Sequence, residues 1–238
     1  MPAERYYYPQ SLENNTPIYL EGQEHHHLVN VMRTRLGEEV EVVNGQGQLA
    51  ATTVESLEKK RAVLSVQTVF TANPPTIKII LAQGLPRFAR LELIMEKCTE
   101  LGMTEIWLFP AARSEKKDLS ESQFTRLETI AVASMKQCGR LFLPKIVVMP
   151  PLKRWTETPV KTCYFGDLRE GAPKVHNAWP AGSQEALFFV GPESGFTEDE
   201  VKQMESLHAT GVKLHSNVLR TETAAIAALS LVSHLMPY

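Results

Sequence analysis

A chain of 238 residues, 43% hydrophobic and 22% charged, has globular composition and room for one large domain or two smaller ones. Its formal net charge of −2 excludes a globally basic nucleic-acid binder but leaves room for a local basic face. No apolar run nears the roughly 20 residues of a membrane helix, and the opening MPAERYYYPQ lacks the apolar core of a signal peptide. Cys98, Cys138 and Cys163 fit no metal spacing and read as buried free thiols of a protein in a reducing cytoplasm.

Residues 1–70 read as β-rich. VEVVNGQGQLAATTV places two β-prone segments on either side of Asn44-Gly45, a hairpin signal, and AVLSVQTVF at 62–70 is a further strand. GQGQLA at 45–50 has the spacing of a dinucleotide fingerprint, but the β-branched ATTVESL follows it where a helix is needed, so the glycines belong to a turn. Within EHHHLVNVMRTR (24–35), adjacent histidines face apart and make poor metal ligands. The segment reads as a helix start with Leu28, Val31 and Met32 turned to a core. Arg33 and Arg35, with Arg5, then form either a solvated face or an RNA-contacting patch.

TANPPT at 71–76 is a linker. Beyond it strands and helices alternate, which predicts a largely parallel α/β sheet covered by helices. The strands are IKIILAQ (77–83), EIWLF (105–109), KIVVM (145–149), KTCYFG (161–166), EALFFVG (185–191) and VKLHS (212–216). Helices fall at 90–102, at 120–139 behind a Ser120/Gln123 capping box, behind a Thr197/Glu200 capping box, and at the end, where Thr221 is the expected cap. Arg87 and Arg90 stand just after a strand, where ligands gather in such sheets. Two strand–loop–helix junctions are richer in glycine or polar residues than a plain connection needs: FVGPESGF (189–196) and LHSNVLRTETAA (214–225).

Those two junctions, with HHHLVNVMRTRLGEEV, EKCTELGMTEIWLF and KQCGRLFLP in the same order, resemble the E-type small-subunit ribosomal RNA uridine-N3 methyltransferases of the knotted SPOUT superfamily. The likeness covers essentially the whole chain. It implies a PUA-like RNA-binding β-barrel over 1–72 and an α/β SPOUT domain over 73–238 ending in a deep trefoil knot. It also implies S-adenosylmethionine (SAM) as methyl donor, a homodimer, no metal, and 16S rRNA or the small ribosomal subunit as substrate, with uridine 1498 as the target. The final helix, 222–235, carries Ala225, Ile226, Leu229, Val232 and Leu235, a wide apolar stripe expected to pack in the dimer interface.

The resemblance further implies three segments wrapping the cofactor, largely through main-chain groups. They are Phe165, Gly166, Asp167 and Leu168; Val190, Gly191, Pro192, Glu193, Gly195 and Phe196; and Leu214, His215, Val218, Leu219, Arg220, Thr221, Thr223 and Ala224. Arg220 suits the fixed cation that stabilises charge developing on the uracil ring, and it cannot serve as the base. The base is unassigned, with Glu193, Glu222 or a water able to serve. Arg5, Arg33 and Arg35 are the RNA-binding candidates, with Arg87, Arg90 and Arg140 next. The chain departs from the family at Ser194 and His215, where glycine is usual, and at Asn217, near which a basic residue is usual. A glycine position that requires positive φ would be strained by either replacement. A non-catalytic RNA-binding or ribosome-assembly factor that keeps the fold is the alternative reading, and methyl-donor binding separates the two. An unrelated α/β nucleotide enzyme is disfavoured by the lack of a P-loop.

Overall fold

The structure, a computed structural model, describes residues 4–236. The chain forms two compact units that divide at Pro74/Pro75, and Val132–Leu143 belongs with the first.

In the first unit, alternation of buried and exposed residues builds a five-stranded sheet in the order β1-β3-β4-β5-β2. The strands are β1 (Arg5–Tyr7), β2 (Ile18–Glu21), β3 (Glu39–Val43), β4 (Gln48–Leu57) and β5 (Arg61–Thr71), antiparallel except for the β1–β3 pair. Tyr6, Ile18, Leu20, Val42, Ala50, Leu64 and Val66 fill one core. The β3–β4 turn forms where the hairpin signal stood. Asn44 Oδ1 accepts the Gln46 and Gln48 N–H groups at 2.9 and 3.0 Å. Gly47 sits at φ +98°, and a Cβ there would run into the Phe142 ring and the Ala72 carbonyl. The glycines therefore serve a turn followed by a strand, as the β-branched sequence requires.

The histidine run behaves differently from its expected pattern. It forms α1 (Gly22–His26), followed at once by a π-helical turn, His27–Val31. Leu28 is buried, but Val31 and Met32 are 55% and 39% exposed, so they do not face the core. The π-turn spends an extra residue per turn, and the 3.6-residue spacing that would carry them inward with Leu28 is lost. Arg33 then takes φ +57° and ends the helical path.

The second unit is a six-stranded parallel sheet in the order β11-β9-β10-β6-β7-β8. Its strands are β6 (Lys78–Gly84), β7 (Glu105–Phe109), β8 (Lys145–Val148), β9 (Cys163–Gly166), β10 (Glu185–Val190) and β11 (Thr210–Val212). The last of these lies earlier than the VKLHS segment, most of which is loop. The helices are α2 (Phe88–Glu100), α3 (Glu121–Cys138), α4 (Val175–Ala178), α5 (Glu198–Ser206) and α6 (Thr221–Leu235); α3 begins in this unit and ends in the other. β6 and β10 are buried along nearly their whole length, which is why they read as unbroken apolar runs rather than alternating ones. Ile80, Ala82, Leu187 and Phe189 face a core shared with Phe109, Trp155 and Met204 of α5. Ile79, Leu81 and Gln83 alternate to the other face, on which α6 packs against β6, β10 and α2.

The final helix corrects two expectations. Thr221 is its first residue rather than its cap: Arg220 holds the N-cap position, with no side-chain cap bond. Its apolar residues Ala225, Leu229 and Val232 are buried within the chain itself, so most of the stripe read as a surface for a second copy covers the sheet instead. Cys98 and Cys163 are buried and Cys138 is half-buried, all as free thiols.

Both capping boxes form. Ser120 and Gln123 exchange bonds of 3.3 and 3.1 Å, and Thr197 and Glu200 do the same at 3.3 and 2.9 Å. Glu200 also accepts the Ala112 N–H at 2.7 Å, tying α5 to the loop after β7. Thr197→Ala is expected to cost about 1 kcal/mol. Glu200→Ala should cost more, about 2 kcal/mol, because it strands two backbone donors instead of one. Urea unfolding midpoints of the two variants check the order, and a Glu200→Ala variant no less stable than Thr197→Ala contradicts it.

Candidate active site

The parallel register brings three strand ends to one edge. Val190 pairs with Gln83, and Phe189 pairs with Phe165. Gly84, Gly166 and Gly191 therefore leave the sheet close together, and Val212 of β11 pairs with Gly166. The loops after β9, β10 and β11 surround a cavity of about 830 Å³, within the range of small-molecule sites. Every residue assigned to the cofactor by resemblance lines this cavity except Arg220 and Thr223. Phe188, Val201, Arg113, Arg169, Ser194, Lys202 and Glu205 line it as well.

The Gly191–Phe196 segment is a tight return. Gly195 N–H donates to Pro192 O at 2.8 Å, and Gly195 takes φ +67°. A side chain at Gly191 would press on the Gly195 backbone. Arg113 Nη1 donates to Ser194 O at 3.0 Å and braces the turn. Asn15, Arg33 and His208 are the described non-glycine residues with positive φ, so Ser194 and His215 carry no left-handed strain. Replacing glycine at these two positions costs the backbone nothing here.

The walls combine apolar and polar chemistry. Phe165 and Val190 are buried beneath the cavity, while Leu168 and Val218 stand 65% and 77% exposed at it. Apolar side chains so exposed beside a cavity give it an apolar surface. Asp167 accepts the Arg169 N–H at 2.9 Å and Arg169 Nε at 2.8 Å, and Arg169 Nη2 reaches Glu205 at 2.9 Å. The carboxylates Asp167, Glu193, Glu198 and Glu205 face the cations Arg113, Arg169 and Lys202 around the rim. The cavity thus offers acceptors for hydroxyl and ammonium groups beside an apolar bed.

The proposed catalytic groups divide. Arg220 is exposed and, among the described residues, its side chain makes no hydrogen bond or ion pair. Glu193 lines the cavity and accepts the Arg87 N–H at 3.0 Å. Glu222 lies away from the lining, 6% exposed and paired with Arg90 Nη1 at 3.1 Å. Among the RNA candidates, Arg5 is ion-paired with Glu41 at 2.6 Å with its side chain 13% exposed, so it is no free cation. Arg87 is paired with Glu115 at 2.7 Å and Arg90 with Glu222. Arg140 is half-buried, and burial lowers its pKa. Arg33 and Arg35 remain exposed. Gln83 escaped the sequence reading: it closes an apolar strand run and is 0% exposed. The signal was there, because a buried amide requires partners.

An RNA methyltransferase domain is what this sheet edge and its loops define. A family model of that description matches residues 73–233, and one described as the RNA methyltransferase PUA domain matches residues 20–67. The ribosomal RNA small subunit methyltransferase E of Bacillus subtilis is 29% identical over 238 residues, covering 94% of this chain and 93% of its own. That of Mesomycoplasma hyopneumoniae is 33% identical over 165 residues, 66% of this chain and 70% of its own. The crystal structure of the Neisseria gonorrhoeae enzyme of that name, bound to SAM, superposes with a TM-score of 0.89 at 26% identity, covering 99% of this chain and 98% of its own. The chain belongs to the ribosomal RNA small subunit methyltransferase E family. Among the described residues no group of three metal-ligating side chains forms, and no helix is long and apolar enough to cross a membrane.

Burial pushes the Asp167 carboxyl up, but its bonds to the Arg169 side chain and backbone outweigh that and hold it below its ordinary value of 3.8. A lowered folded value contributes stability above the unfolded value, and that stability is lost as pH falls through the folded one. The unfolding free energy of the wild type should therefore exceed that of Asp167→Asn at neutral pH. The gap should close on acidification below about pH 4. Denaturant melts across that range check it, and a gap independent of pH rules the pair out as its source.

Proposed function

We propose that the protein transfers a methyl group from SAM to N3 of a uridine in 16S rRNA, uridine 1498 by family, and works as a cytoplasmic homodimer. The observation that carries this reading is the cavity at the sheet edge, lined by three convergent loops. Its apolar exposed pair, Leu168 and Val218, suits the adenine of SAM, and the Asp167 and Glu205 carboxylates suit its hydroxyl and ammonium groups. The N. gonorrhoeae relative was solved with SAM bound, which supports the same ligand here. We assign RNA contact to residues 1–72, with the exposed Arg33 and Arg35 among its cations, and methyl transfer to residues 73–238. The family likeness supports a knotted passage of the C-terminal segment. Leu231, 38% exposed on that helix, and the half-buried Ile226 and Leu235 support a partner copy there.

Bound SAM supplies a methyl group already activated by its sulfonium. The protein's share is to hold the acceptor in line and exclude water. Uridine N3 lies on the pairing edge and carries a proton at neutral pH, so the base must be extruded and the proton removed. Glu193, open to solvent at the cavity, is better placed to accept it than Glu222, which is buried against Arg90. Arg220 donates to the negative charge that develops on the ring. Its charge stands at a helix N-terminus, where the dipole disfavours a cation. An anionic partner explains its presence there.

Incubating the full chain with SAM and small subunits that lack the modification should add one methyl group to N3 of a single uridine, as located by mass spectrometry. SAM binding by calorimetry without methyl incorporation would favour the non-catalytic reading.

Arg220→Ala should slow single-turnover methylation by about a hundredfold, with SAM affinity little changed. Arg220→Lys should recover part of the rate, since an ammonium lacks the planar fork of a guanidinium. Weakened RNA affinity with an intact rate at saturating RNA would make Arg220 a phosphate clamp instead.

A further inference from the structure

Gln83 is the next-to-last residue of β6 and is wholly buried on the face that α6 covers. Its Nε2 lies 2.8 Å from Gly84 O, 3.3 Å from Val190 O, 3.2 Å from Gly191 O and 3.2 Å from Thr221 Oγ1. The nitrogen end is fixed by chemistry, since an amide oxygen at this spot would face three carbonyl oxygens. Thr221 has one hydroxyl hydrogen, and it donates it to Gly191 O at 2.6 Å. Toward Gln83 the hydroxyl accepts. One amide thus joins the end of β6, the end of β10 that opens the 191–195 turn, and the first residue of α6, with Arg220 immediately before it.

Stability alone accounts poorly for an amide here. Among the described residues Gln83 Oε1 is buried without a partner, and such an atom costs about 1–3 kcal/mol that a leucine would not incur. Gln83 does not itself line the cavity, but its bonded partners Val190, Gly191 and Thr221 do.

We propose that Gln83 is a positioning residue for methyl transfer. Through Thr221 and Gly191 it sets the cofactor wall and the Arg220-bearing helix start in one frame, so that the methyl donor and the ring-stabilising cation are aligned together. This rests on the reading of the cavity as the SAM site.

The test uses the full-length chain and three variants: Gln83→Leu, of similar volume; Thr221→Val, isosteric but without the hydroxyl; and Thr221→Ser, which keeps it. SAM affinity is measured by calorimetry, RNA affinity by filter binding, and single-turnover rate at saturating SAM and RNA. Gln83→Leu and Thr221→Val should each weaken SAM binding and slow the saturated rate by about tenfold, leaving RNA affinity within about twofold. The double variant should lose less than the sum of the two single losses, because both substitutions break the Gln83–Thr221 bond. Thr221→Ser should recover most of what Thr221→Val loses. A folding defect in Gln83→Leu leaves Thr221→Val to decide. SAM affinity and rate unchanged in Thr221→Val or in a folded Gln83→Leu, or additive losses in the double variant, overturn the proposal. A wild-type chain that fails to bind SAM overturns the reading of the cavity, and is told apart by that control.

Discussion

The register of β10 between β6 and β9 is the constraint on which the site depends. With Val190 opposite Gln83 and Phe189 opposite Phe165, three chain segments far apart in sequence must leave the sheet at one level. A parallel sheet allows no other arrangement of its ends: each strand is followed by a crossover, so all carboxyl ends share an edge. A shift of one residue in β10 would exchange Phe189 and Phe188 between the two faces, empty the core around Trp155 and separate Gly191 from Gln83. The apolar burial that fixes the register is also what fixes the cavity.

Loop chemistry is built on that edge by local means. A left-handed Gly195 and the Pro192–Gly195 bond close the turn. Arg113 and the Glu200 carboxylate tie it to the loop after β7. The Arg169 guanidinium bridges Asp167 and Glu205, linking the loop after β9 to α5. Several of these bonds involve exposed groups and are individually weak. Together they narrow the positions open to loops that make no regular ladder.

The charge distribution follows from the near-neutral total. Arg5, Arg87, Arg90, Arg126 and Arg169 are all spent on carboxylates. Among the described residues, Arg33, Arg35 and Arg220 are exposed arginines outside these pairs.

What the sequence determined by itself was local. Strand runs, capping boxes, the Asn44 turn and the order of elements are set by neighbours within a few residues, and those forces act whatever the rest of the chain does. The two polar junctions were legible for the same reason, and their family likeness supplied their meaning. Partnership across the fold was not legible. The sequence showed Arg5 as a free cation, Thr221 as a cap and Val31 and Met32 as core, yet their roles depend on Glu41, on Gly191 and on a π-turn respectively. The final helix read as a surface for another copy because its apolar stripe is visible in sequence while the sheet it covers is not. Gln83 lies 138 residues from Thr221, and only the closure of the parallel sheet brings the amide and the hydroxyl together. Pairing at that separation is decided by packing, which no local pattern encodes.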